Sequence, residues 1–238
     1  VKFFVHIGLP KTGTTVLQNA LSTANGIRYF HKYTDPDLIH DLRGYVNGES
    51  RDMEKYMTRY SSGSPNIISD ENITIHWKNF WQEDFPHIPP VHVLSHLQAL
   101  YRDQHVIFGV RDQATWLASR YAESAKVFDV ANQEDFEQRV FEVVSRNQND
   151  WLYYDYVIQT LRERFRFVHV LYQEELDFTT LEAVMGTTLE CSSDRLNSLQ
   201  LSSNTWQLKG HDETITLTPE LISLVADQYG EYYPGMYS

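Results

Sequence analysis

Phe3-Phe4-Val5-His6-Ile7-Gly8-Leu9-Pro10-Lys11-Thr12-Gly13-Thr14-Thr15 reads as a buried strand, a turn bounded by two glycines and the start of a helix. The strand is a short apolar run, the form taken by a parallel strand covered on both faces. Gly8 and Gly13 stand at the G-x4-G spacing of a phosphate-cradling loop. At such a turn, unpaired backbone N–H groups and the dipole of the following helix attract phosphate oxygens. A nucleotide-hydrolysing loop carries lysine directly after its second glycine. Here Thr14 holds that place, and the lysine comes earlier, as Lys11. The loop suits phosphate but does not follow the pattern of an ATPase.

Working outward, three further apolar runs read as strands: Asn66 to Ser69, Val106 to Val110 and Phe167 to Leu171. Helical periodicity separates them. Thr14 to Ala24 carries Val16, Leu17, Ala20 and Leu21 on one face, and Asp112 to Val127 carries Trp116, Leu117, Tyr121 and Ala125. Apolar positions from Phe136 to Phe165 make one long helix, or two with a break near Asn147 to Asp150. A last helix starts at Thr218-Pro219-Glu220, with Thr218 as its cap. Gly26 to Pro65 and Ile73 to Pro90 are less regular; the first holds a helix over Arg51 to Tyr60, and both suit acceptor-binding loops. Strands alternating with helices predict an α/β fold: a P-loop-like parallel sheet of about four to five strands with helices on both faces, in a single domain over residues 1–238.

Composition narrows the partners. A net charge of −12 argues against nucleic acid and anionic membrane as ligands, so any polyanion must meet a local cluster of Lys and Arg. No apolar run reaches the roughly 20 residues of a membrane span, so no membrane insertion is expected. The single cysteine, Cys191, excludes a disulfide within the chain. With a strand pattern at its very start and no leader, a soluble cytoplasmic protein is expected.

Pro10-Lys11-Thr12-Gly13-Thr14-Thr15 closely resembles the 5′-phosphosulfate loop of the sulfotransferases that use 3′-phosphoadenosine 5′-phosphosulfate (PAPS). The likeness is nearer to the bacterial and carbohydrate-modifying branches than to the cytosolic steroid and phenol enzymes. It implies that Pro10, Lys11, Thr12, Gly13, Thr14 and Thr15 bind the donor, with Lys11 at the oxygen bridging phosphate and sulfate. Val110-Arg111-Asp112 followed by Ser119 has the spacing of the family's 3′-phosphate site, which assigns that role to Arg111 and Ser119. Val170 to Leu176 is similar to the family's strand-end segment and puts Gln173 where a tyrosine touches adenine in cytosolic members. Leu208-Lys209-Gly210 resembles the loop that closes over the nucleotide, with Leu208 in the place of the family's arginine; Lys209 and Gly210 are the donor-binding residues it implies.

Sulfuryl transfer needs acceptor oxygen, sulfur and leaving oxygen in line, a proton acceptor, and positive charge at the leaving group. Open α/β sheets put such groups at the carboxyl ends of their strands. Ile68-Ser69-Asp70-Glu71-Asn72 ends a predicted strand, and a glutamate after a serine there resembles the base of the bacterial and carbohydrate branches. Glu71 is the expected base; Asp70 and His76 are the other choices. A carboxylate beside a phosphosulfate calls for basic groups close by, for which Lys11 and Lys209 are expected. His76, Trp77 and Trp81 follow the base and suit the acceptor, a glycan, lipid or small alcohol. PAPS is the expected donor, PAP its product, and no metal is required. A metal site would rest on His92 and His96, four apart, without an evident third ligand. Two other functions share these residues: a P-loop small-molecule kinase using ATP and magnesium, and a non-catalytic module that holds PAP or a glycan.

Overall fold

β1 (Phe3–Gly8) is the central strand of a five-stranded sheet in the computed structural model of the protein. The structure describes residues 2–60, 63–74, 80–82, 88–146, 149–174, 178–189 and 205–232. The other strands are β2 (Arg28–Phe30), β3 (Asn66–Ser69), β4 (His105–Val110) and β5 (Phe167–Tyr172). All pair in parallel, in the order β2-β3-β1-β4-β5. The chain leaves β1 towards β2 on one side, then returns across to β4 on the other. The carboxyl ends of β1 and β4 therefore flank the crevice in which such sheets bind ligands.

Successive β1 residues point to opposite layers. Phe4 joins a smaller core with Val16, Leu17, Ile67 and Ile107 under α1 (Thr14–Thr23). Phe3, Val5 and Ile7 join the larger core. That core takes buried faces from α2 (Pro36–Val46), α4 (Pro90–Tyr101), α5 (Gln113–Ser124), α6 (Gln133–Arg146), α7 (Tyr154–Arg164) and α9 (Pro219–Tyr229). Between them in sequence lie the one-turn α3 (Glu54–Met57) and α8 (Thr179–Met185), the latter on the Phe4 side through Leu181 and Met185. Both faces of the sheet are covered, as the α/β pattern requires.

The expected strands and the helix starts at Thr14 and Thr218 are present, and Thr218 accepts a hydrogen bond from the Leu221 N–H. The stretch from 136 to 165 forms two helices, the second of the two readings, with a 3-10 turn at Asp150–Leu152 before the later one, where Trp151 and Leu152 are buried. Other details differ. The helix expected over Arg51 to Tyr60 shrinks to α3, because only Tyr56 of that turn is buried. β2 and α2 arise inside a stretch read as irregular. β2 has three residues, too few to show alternation, and α2 is carried by its buried Leu38, Ile39, Leu42 and Val46. An antiparallel hairpin, β6 (Thr205–Gln207) and β7 (Thr214–Thr216), was not legible either.

β1 and β4 meet at their site-facing ends with glycine on both strands. Gly8 pairs with Gly109, and a β-carbon on Gly8 would lie 3.0 Å from the Gly109 nitrogen. A β-carbon on Gly109 would lie 2.8 Å from the Thr12 hydroxyl, which itself donates to the Leu9 carbonyl at 2.7 Å. Gly109→Ala is expected to displace Thr12 and cost about 1–3 kcal/mol of stability in urea denaturation. Thr12→Ala in the same chain should restore part of the loss.

Candidate functional site

The turn from Leu9 to Gly13 is shaped by two left-handed residues. Gly13 (φ 78°) caps α1, and Lys11 (φ 68°) is the sole non-glycine with positive φ among the described residues. A lysine held there costs energy and persists only where its surroundings fix it, a feature that gathers at functional sites. Neighbouring elements supply the fixing. The Trp116 indole N–H of α5 donates to the Pro10 carbonyl at 2.5 Å, and Arg111 Nη1, just past β4, donates to the Lys11 carbonyl at 3.1 Å. Tyr154 of α7 holds the Arg111 carbonyl in turn, at 2.8 Å.

The start of α1 is open. Gly13 offers no side-chain cap, the first turn has no acidic residue, and among the described residues no partner takes up the backbone N–H groups of residues 11 to 15. A helix end of this kind can take an anion on its N–H groups. Arg111 is half-buried at its rim; burial lowers its pKa, against the opposing pull of Glu174 and Asp112. Ser119 is half-buried on α5, two turns beyond Arg111. Gln173 follows β5, its N–H on the Val110 carbonyl at 3.0 Å and its buried side-chain oxygen without a partner among the described residues.

Two carboxylates flank the loop, each with its own cations. Glu71 follows β3; one oxygen accepts from Gln18 of α1 at 3.2 Å and the other meets Lys32 at 3.4 Å. Burial raises its pKa, but its own backbone N–H, Lys32 and Gln18 together outweigh burial and hold it below the ordinary value. Glu123 of α5 meets Lys11 at 3.1 Å, Lys209 at 2.5 Å and, through its other oxygen, Lys126 at 3.7 Å. Burial again works upward, and the lysines pull Glu123 down to about 2. The basic neighbours expected beside Glu71 are therefore a correction: Lys11 and Lys209 belong to Glu123, while Lys32 serves Glu71. Glu123 was missed, although it lies four residues beyond Ser119 and so on the same helix face.

The remaining expected residues separate. Asp70 is fully buried, bound to Arg43 at 2.6 Å and to the Asn72 N–H at 2.7 Å, an arrangement that fixes the turn after β3. Lys209 and Gly210 sit in the turn between β6 and β7, where the Lys209 N–H donates to the Ala122 carbonyl at 3.0 Å. Trp81 is buried, edge-on to Phe80 and Tyr121. His76 and Trp77 lie outside the described residues, as does Cys191. The His92 and His96 rings lie 4.6 Å apart on α4, tilted by 53°, and the described residues hold no group of three metal-ligating side chains.

Two hollows adjoin the carboxylates. A groove of about 680 Å³ runs from Glu71 along the polar face of α1, past Gln18 and Asn19, with Tyr29, Lys32 and Tyr33 opposite. A cavity of about 440 Å³ beside Glu123 is lined by Trp81, Arg120, Lys126 and Phe128. Burial lowers the pKa of Arg120, opposed by the charges of Glu123 and Glu71.

Models of known protein families and curated proteins give no match to this chain. Among the described residues no helix is long and apolar enough to cross a membrane.

Beneath Glu71, His6 is wholly buried and its Nδ1 lies 2.7 Å from the Ser69 hydroxyl. Burial lowers its pKa to about 4 from 6.5, with Glu71 acting the other way. Unfolded chains take up that proton near pH 6.5, and folded ones only near pH 4. Stability present above pH 6.5 is therefore lost as the pH falls towards 4. His6→Asn should flatten that fall in denaturation curves taken across the window; an unchanged slope would clear His6 of it.

Proposed function

We propose that this protein transfers a sulfuryl group from PAPS to a hydroxyl, or an amine, of an acceptor. The observation that carries this is Lys11: a strained lysine at the head of an open helix start, with Arg111 from the next strand holding its carbonyl. An ammonium and a row of free N–H groups fit a phosphosulfate. The backbone from Pro10 to Thr15 and the Lys11 side chain would hold that end of the donor. Arg111 and Ser119 would take its 3′-phosphate, and Gln173 the adenine side, with Lys209 and Gly210 over it from the hairpin turn.

In the transfer, the acceptor oxygen forms a bond to sulfur as the bond from sulfur to the bridging oxygen breaks. The electron pair of the broken bond stays on the phosphate of PAP, where Lys11 offsets the charge. Glu71 takes the acceptor proton. It is ionised at neutral pH, and it opens onto the groove along α1, whose amides, hydroxyls and tyrosines, set among Leu21, Ala24 and Ile27, suit the mixed polar and apolar surface of a sugar, as in a glycan. His76 and Trp77, which follow Glu71 in the chain, complete the acceptor side in this proposal, whereas Trp81, expected there too, lines the cavity beside Glu123. A kinase of the ATP-magnesium type would want a lysine where Thr14 stands.

Titration calorimetry separates the two chemistries: PAP should bind without metal, and more tightly than ATP with magnesium. Preference for ATP-magnesium would overturn the proposal. Glu71→Gln is expected to keep PAP affinity and lose most turnover with labelled donor; full turnover would move the base elsewhere. Lys11→Ala should lower turnover by a factor on the order of a hundred or more, the loss typical of one charge-stabilising donor.

A further inference from the structure

Glu123 has no part in the transfer described above, yet it is the group to which the loop lysine is tied. Its Oε2 meets Lys11 at 3.1 Å and Lys209 at 2.5 Å. These lysines come from the turn after β1 and the turn between β6 and β7. Two ammonium groups so far apart in sequence share a point in space only around an anion, and here the protein supplies that anion itself. We propose that Glu123 holds the place of the ligand's anionic group: a positioning residue that keeps Lys11 and Lys209 together in the free protein and exchanges with the incoming anion. The identity of that anion as PAPS rests on the sulfotransferase proposal; the exchange does not.

Three features support an exchange rather than a permanent structural bond. First, the hairpin turn is docked on α5 without the carboxylate. The Lys209 N–H reaches the Ala122 carbonyl at 3.0 Å, His211 Nε2 lies 3.0 Å from the Ala125 carbonyl, and Gly210 packs on Lys126. Second, the pairs are partly exposed, with Lys11 at 37 %, Lys209 at 56 % and Glu123 at 25 %, so each is weak enough to break. Third, the displaced carboxylate has somewhere to go. Lys126 already stands 3.7 Å from its other oxygen, and the Arg120 charge acts on it from the same helix. An anion carrying more than one charge outbids a single carboxylate for two ammonium groups. Glu123 thereby lowers the affinity of the site for anions while keeping both lysines aimed at it.

The sign of the effect tests this, because a merely structural Glu123 would weaken binding when removed. Calorimetry would compare wild type, Glu123→Gln, Glu123→Ala and Glu123→Asp, with PAP and separately with inorganic pyrophosphate. Glu123→Gln is expected to bind both about three- to tenfold more tightly, Glu123→Ala likewise, and Glu123→Asp within about twofold of wild type. Equal or weaker binding by the folded Gln and Ala variants overturns the exchange. If wild type binds PAP and the variants gain nothing, the exchange fails and the sulfotransferase proposal stands. If pyrophosphate tightens but PAP does not bind at all, the sulfotransferase proposal fails and the exchange stands. Binding of neither anion to any form sinks both.

Discussion

The contact of β1 with β4 at Gly8 and Gly109 decides where the rest of the site can be. Two backbones meet there without intervening side chains, and the turn after β1 folds over the gap so closely that Thr12 lies above Gly109. The braces that shape the turn come from the chain beyond β4: Arg111, Trp116 and, through Arg111, Tyr154. The left-handed Lys11 sits inside that bracing, with the Thr12 hydroxyl closing the turn locally on the Leu9 carbonyl. A lysine aimed by its backbone needs less ordering when a ligand arrives, which is how a fixed scaffold converts folding energy into preorganisation.

Charge is distributed with the same economy. The chain is acidic as a whole, at −12, yet Lys11, Arg111, Arg120, Lys126 and Lys209 gather along one end of the sheet. They are met by two carboxylates, in separate compartments. Glu71 is held with Lys32 and Gln18 at the head of a polar groove, and Glu123 is held with the lysines of the loop and hairpin. One helix, α5, serves both sides, for its Arg120 feels both carboxylates while its Ser119 and Glu123 share a face. A single change in the rotation of that helix would disturb both compartments together.

The fold was legible where the signal is strong and local. Buried parallel strands are continuous apolar runs, and a glycine-bounded turn such as that between Ile7 and Thr14, set between strand and helix, is the usual form of a phosphate loop. β2 escaped notice because three residues carry no period, and α2 because its charged face and Pro36 look like a loop until the burial of Leu38 and Leu42 is known. Arg111 meets the carbonyl of Lys11, a contact that neither residue's place in the chain announces. The pairing of cations with carboxylates was not legible, since it depends on how the hairpin turn and α5 meet in space. Lys209 lies 86 residues beyond Glu123, and no pattern in the chain ties them.

The braces on the turn after β1 also set the order of events during folding. Arg111 is 100 residues beyond the carbonyl it holds, and Trp116 is 106 beyond its own. The chain from β4 to α5 follows the glycine-bounded segment in synthesis, so these two braces close on the turn only after those elements have emerged. An anion that binds the braced turn deepens the native well.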